Sequence, residues 1–173
     1  LTQKENNENY EIYFKTWNDF HIVLIYNKTS DFSASVNFVI ENFEVINFYN
    51  IGTALSVDSI DLKFGDVIVP NTIIDMQDNA LFLENFTDKN YDLNKFWLVL
   101  NWLCLTLDKK IESQEELLDI KNDYACDIFD FESYKIWELL KQKNLSDKYN
   151  VVKVIWEDEE YLANAVDILE FFM

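Results

Sequence analysis

The side chains able to do chemistry fall at the joints between apolar runs. Asp130-Phe-Glu132 follows the run Tyr124 to Phe129 and opens a helical pattern that reaches Lys143. From position alone the two carboxylates there read as helix-start acids, which that position favours. A second acidic run, Glu157-Asp-Glu-Glu160, follows Val151 to Ile155 and reads from position alone as a solvated helix start. The chain has only two glycines, Gly52 after the run Val45 to Ile51 and Gly65 before Val67 to Val69. Glycine just past a strand's carboxyl end lets the backbone turn sharply or approach a ligand closely. In open α/β sheets that end is also where ligands bind. His21 is the sole histidine, inside Phe20 to Ile25, and reads as structural. With it and two cysteines alone, neither a zinc site nor a Ser-His-Asp triad can be assembled.

Length and composition narrow the classes. At 173 residues, one domain with a sizeable core is expected. A hydrophobic share of 49% against 27% charged fits a globular chain rather than a disordered one. The net charge of −18 repels phosphate backbones and anionic lipid, so neither nucleic acid nor a membrane surface is an expected partner. An acidic immunity or inhibitor protein, directed at a basic partner, stays open beside a merely solubilising surface. Cys104 and Cys126, both in apolar surroundings, read as buried free thiols of a reducing compartment. No apolar run is long enough to cross a membrane and no signal peptide is evident, so a cytoplasmic location is expected.

The elements that must position these residues alternate. Residues 1–9 are polar and expected to fray, leaving a domain over 10–173. Strands are predicted at Tyr10 to Lys15, Phe20 to Tyr26, Val45 to Ile51, Asp66 to Ile74 with Pro70 at an edge or bulge, Tyr124 to Phe129 and Val151 to Ile155. Ala80 to Phe86 is a weaker, short strand. A helix capped at Ser30-Asp31 runs to Asn42, with Phe32, Val36, Val39, Ile40 and Phe43 on one face. Ser113 and Glu116 have capping-box spacing for a helix to Ile120. Further helices are predicted at Asp130 to Lys143 and Glu159 to Phe172, while Phe96 to Thr106 reads equally as buried strand or helix. The alternation predicts a single α/β domain on a mixed, largely parallel sheet.

Several segments, in order, carry a likeness: Gly52-Thr-Ala-Leu55, Gly65-Asp-Val-Ile68, Leu105-Thr-Leu-Asp108, Asp130-Phe-Glu-Ser133 and Lys153-Val-Ile-Trp-Glu157. They resemble the nucleoside phosphorylase and nucleosidase superfamily. Its members carry Gly-[Ser/Thr]-Ala-Gly then Gly-Asp-[Val/Ile]-[Val/Ile], next [Ser/Thr]-[Gly/Ser]-Asp, then Asp/Glu-Met-Glu and last [Lys/Arg]-x-Ile-Ser-Asp. The resemblance covers Phe20 to the C-terminus. The interval from Asp108 to Asp130 most resembles the methylthioadenosine/S-adenosylhomocysteine nucleosidases. It implies a phosphorylase-like three-layer fold, with the mixed sheet flanked by helices.

It also implies cleavage of a purine nucleoside such as methylthioadenosine at its N-glycosidic bond. That reaction passes through an oxocarbenium-like sugar, so it needs a carboxylate at the ribose hydroxyls, an acid near purine N7, and water or phosphate on the opposite face. By the resemblance, Glu132, in the first turn of its helix, accepts the 2′ and 3′ hydroxyls, and Phe131 takes the place of the family's methionine beneath the sugar. Glu157 falls at the general acid, with Asp158 as its substitute one residue on. Gly52, Thr53 and Ala54 line the floor where phosphate or water sits, and Asp108 supports the base-side loop. A homo- or hetero-oligomer is implied; no metal and no cofactor is.

The chain also departs from the pattern. The family's first strand has no counterpart before Tyr10. Asn27-Lys-Thr-Ser30 stands where a glycine-rich turn is usual, Leu55 replaces a glycine and is expected to intrude on the pocket floor, and Lys109-Lys110 follow where a base-stacking phenylalanine is frequent. These departures keep open an inactive relative that serves as a binding or oligomerisation partner.

Overall fold

The computed structural model describes residues 2–17, 20–29, 31–56, 62–77, 80–82, 98–109, 111 and 113–156. The chain opens with β1 (Thr2–Asn6), β2 (Tyr10–Trp17) and β3 (Phe20–Asn27), an antiparallel sheet in that order. The expected frayed N-terminus is thus a strand. Its polar residues hide no apolar pattern because β1 lies at the sheet edge, with a bulge between Gln3 and Glu5. Lys28 ties the corner, donating to Asn6 Oδ1 at 2.9 Å and pairing with Glu11 at 2.9 Å. Tyr10 and Ile12 turn inward against Val39 of helix α1 (Ser33–Asn42). At the start of α1, Asp31 accepts the Ser33 N–H at 3.0 Å.

The remaining strands are β4 (Phe48–Ser56), β5 (Val67–Asp75), β6 (Ala80–Phe82), β7 (Leu98–Thr106), β8 (Ile128–Asp130) and β9 (Tyr149–Ile155). Helix α2 (Gln114–Asp123) joins β7 to β8, and α3 (Ser133–Gln142) with a 3-10 turn at Ser146–Lys148 joins β8 to β9. The undecided segment ending at Thr106 is therefore strand, held between β5 and β8 in parallel pairings. The capping-box spacing also holds, since Ser113 Oγ accepts the Glu116 N–H at 3.1 Å. Ladder irregularities flank Pro70, which has no N–H to give its neighbour. The helix expected from Glu159 to Phe172 lies outside the described residues.

The sheet is mixed, and its longer ladders, β4 with β9 and β5 with β7, are parallel. The order β5-β7-β8-β4-β9 closes into a five-stranded barrel, because the start of β5 also pairs with β9 through Val67↔Val154 and Ile68↔Lys153. The long β5 can do this because its far end carries β6 instead. Each barrel strand sends one buried side chain to a common cluster: Ala54, Ile68, Cys104, Ile128 and Ile155, joined by Leu62. A second cluster ties α1 and α3 to β5 and β9 around Val36, Ile73, Leu140 and Val151. A third ties α2 to β7 and β8 around Leu105, Ile120 and Phe129.

Candidate functional site

β8 ends at Asp130, and the backbone bends through Phe131 and Glu132 before α3 begins at Ser133. Glu132 is therefore the N-cap residue of α3 rather than part of its first turn. Asp130 does the capping. Its carboxylate accepts the Ser133 N–H at 3.2 Å, the Ser133 hydroxyl, and the Thr106 hydroxyl at 2.9 Å. Thr106 Oγ1 in turn accepts the Tyr134 N–H at 2.9 Å. Among the described residues no buried side-chain nitrogen or oxygen is left without a partner, as buried polar groups require.

Opposite, β9 points Lys153 into the same space. Lys153 has 0% exposure, and its ammonium lies 2.8 Å from Asp130 Oδ2 and 2.6 Å from Glu132 Oε1. Burial alone would pull the lysine down, but the two carboxylates override it and hold the ammonium well above its ordinary value. Burial would likewise raise Asp130, yet Lys153 and the hydroxyls of Ser133 and Thr106 hold its carboxyl below the ordinary 3.8. Glu132 differs from its partners in being 26% exposed, so its carboxylate both touches the buried pair and meets solvent.

Gly52 completes the arrangement. It lies within β4, not past its end, and its Cα partner across the parallel ladder is Lys153. A Cβ added at Gly52 would stand 2.6 Å from Glu132 Oε1 and 3.1 Å from Lys153 Nζ. Glycine is required here because charged side chains press on the backbone, not because of an unusual φ. Behind it, the buried Asn50 amide donates to Ser133 Oγ at 3.2 Å and to the Tyr149 hydroxyl at 3.1 Å, which itself donates to the Ser133 carbonyl at 2.9 Å.

Of the residues expected in a site, Gly52 and Glu132 come together. Thr53 is the next residue of β4 and half-buried, while the Ala54 side chain is spent in the barrel cluster. The Ala54 carbonyl accepts the Trp156 N–H at 3.0 Å. Phe131 packs against the cluster around α2. Asp108 is exposed and faces Lys135 at 3.6 Å. Leu55, expected to intrude on the floor, instead packs against the α2 cluster, because it alternates to the face opposite Gly52. Glu157 and Asp158 lie outside the described residues. His21 is a wall residue of the first sheet, between the rings of Phe14 and Phe43. Both cysteines are buried and outside any disulfide, and burial pushes the Cys104 thiol up.

Sequence reasoning missed Lys153 as a member of the site. The signal was present: Val151 and Ile155, its same-face neighbours on β9, are apolar and fully buried, so a lysine between them demands a buried counter-charge. Among the described residues no group of three or more His, Cys, Asp or Glu side chains could hold a metal ion. No helix among them is long and apolar enough to cross a membrane.

No protein-family profile and no curated protein sequence matches the chain. Its fold, however, is shared by solved nucleosidases and a futalosine hydrolase. The Helicobacter pylori 5′-methylthioadenosine/S-adenosylhomocysteine nucleosidase superposes with a TM-score of 0.72 at 16% identity, covering 99% of this chain and 82% of that one. A mutant of that nucleosidase with 5′-methylthioadenosine in its active site gives 0.71 at 15%, covering 98% and 80%. A mutant futalosine hydrolase from H. pylori gives 0.69 at 14%, covering 99% and 86%. Likeness at such identities establishes the fold alone.

Proposed function

We propose that this chain binds a purine nucleoside with its ribose diol on Glu132 and cleaves the N-glycosidic bond. The observation that carries the reading is the Glu132 carboxylate: part exposed, pressed onto Gly52, and bound to a fully buried lysine. An anion so held accepts hydrogen bonds from two vicinal hydroxyls without having to be ordered first. The fold adds support, since a nucleosidase that shares it holds 5′-methylthioadenosine in its active site.

In this reading two carboxylates and one ammonium leave the site one negative charge in excess. That charge favours the sugar as it becomes oxocarbenium-like and disfavours an anionic leaving group. The C1′–N bond breaks and the base departs with a proton from Glu157 or Asp158; phosphate, or water that gives up a proton to solvent, forms the new bond to C1′ from the side of Thr53 and Ala54. Phe131 steadies the turn bearing Glu132, and Asp108 supports the base side. Leu55, facing away from Gly52, poses no obstacle.

The test is base release from methylthioadenosine, adenosine and inosine, each with and without phosphate. Wild type is expected to release base, with Glu132→Ala slower by about 10²-fold or more. Dependence on phosphate would name the acceptor. Nucleoside-induced thermal stabilisation without release would leave a binding protein of this fold; neither stabilisation nor release would overturn the reading.

A further inference from the structure

A lysine with 0% exposure is costly to bury. Asp130, itself 1% exposed, suffices to neutralise it, and their contact at 2.8 Å closes a pair that stability alone would explain. Yet the same ammonium makes its shorter contact, 2.6 Å, to Glu132, which solvent could have satisfied instead. Gly52 has no side chain, where any Cβ would force that contact apart. Buried pair and bare glycine backbone both leave room for Glu132 Oε1.

We propose that Lys153 is a positioning residue that pins Glu132 in one orientation and thereby sets discrimination for nucleosides carrying the intact 2′,3′ diol. The inference rests on the diol reading of Glu132. The roles divide among three residues: Asp130 makes the buried ammonium tolerable, Lys153 orients, and Glu132 meets the ligand. An unpinned glutamate samples several rotamers and must be ordered by each ligand that binds. Lys153 does that ordering during folding, so a diol receives acceptors already aimed, while a sugar without hydroxyls gains nothing from them.

The test is the ratio of dissociation constants for 2′,3′-dideoxy-5′-methylthioadenosine and 5′-methylthioadenosine, measured by calorimetry with melting curves alongside. Lys153→Met combined with Asp130→Asn removes the buried pair without leaving a lone charge. Wild type is expected to favour the diol by about 100-fold, as two hydrogen bonds to a charged acceptor imply. The double variant, still folded, is expected to lose about tenfold of that ratio through weaker diol binding, with dideoxy affinity unchanged within about twofold. Lys153→Arg keeps the charge but alters its reach, and is expected to lower the ratio at least about threefold at a similar melting temperature; it carries the test alone if the double variant does not fold. A wild-type ratio retained in the folded variants overturns the positioning role and leaves the diol reading standing. Equal wild-type binding of both nucleosides, or of neither, overturns the diol reading and this inference with it.

Discussion

Replacing Gly52 with alanine tests the contact at the centre of the site, because the sign of its effect is informative. Gly52 does not have a positive φ, so its backbone suits an ordinary residue. Without the contact, alanine should stabilise the protein by about 0.4–1 kcal/mol through the unfolded chain. With it, the distance from the new Cβ to Glu132 Oε1 must open from 2.6 Å to at least 3.4 Å. Glu132 can yield only by loosening its 2.6 Å bond to Lys153. A hydrogen bond between charged groups contributes about 1.5–3 kcal/mol, and the lower end applies because Glu132 is part exposed. The loss exceeds the gain, leaving a net destabilisation of about 0.5–1 kcal/mol. For a chain of this size that lowers the melting temperature by about 1–4 °C. Displacing the carboxylate by this much is expected to weaken nucleoside binding or turnover by about 10–100-fold. Thermal melts and calorimetric titration with methylthioadenosine read both. In a Glu132→Ala background the alanine at position 52 should instead stabilise by up to about 1 kcal/mol, since the pressing oxygen is gone. A Gly52→Ala protein as stable as wild type or more so, with unchanged affinity, would refute the reasoning.

Two further outcomes concern stability. Asp130 has a lowered value when folded, so its contribution is present above the ordinary 3.8 and is lost as pH falls through the lower folded value. Lys153 has a raised one, so its contribution is complete below the ordinary 10.5 and is lost only as pH rises beyond it. The stability difference between wild type and Asp130→Asn, from urea melts, should therefore hold steady near neutrality and shrink below pH 3.8; constancy through the acid range would contradict the assignment. In α2, Ser113→Ala removes the acceptor for the Glu116 N–H and should cost about 1 kcal/mol in the same melts, with nucleoside affinity untouched.

Much of the local structure could be read from residue pattern. Alternation marked β2, an apolar run marked β3, and the spacing of Ser113 and Glu116 marked the start of α2. What the pattern could not carry was pairing. Nothing local to Leu98–Thr106 separates strand from helix; the choice is made by β5 and β8 on either side. Thr2–Asn6 has no apolar alternation and is a strand only because β2 offers an edge. Barrel closure likewise depends on Val67 and Ile68 meeting Val154 and Lys153, a meeting invisible to any window of sequence. At the site, Gly52 was legible because glycine is rare in this chain, and Glu132 through the motif Asp130-Phe-Glu-Ser133. Lys153 was quoted only as part of a motif, since a lysine in a strand ordinarily points to solvent. Asp130 looked like one more helix-start acid; its burial follows from β8 ending inside the fold.

The parallel pairing of β4 with β9 has a consequence for how the molecule comes into being. Asn50 and Tyr149, hydrogen-bonded in the finished protein, are 99 residues apart in sequence. During synthesis at about 5–20 residues per second, the glycine-bearing strand must wait roughly 5–20 s for its neighbour to be made. The first sheet and α1 can form in that interval from local contacts, whereas barrel and buried charge arrive together and late. The lysine that orients the site is also on the strand that completes the barrel. A chain made only as far as α3 therefore has no half-working site to offer, and ligand binding, once established, reports that β9 is home.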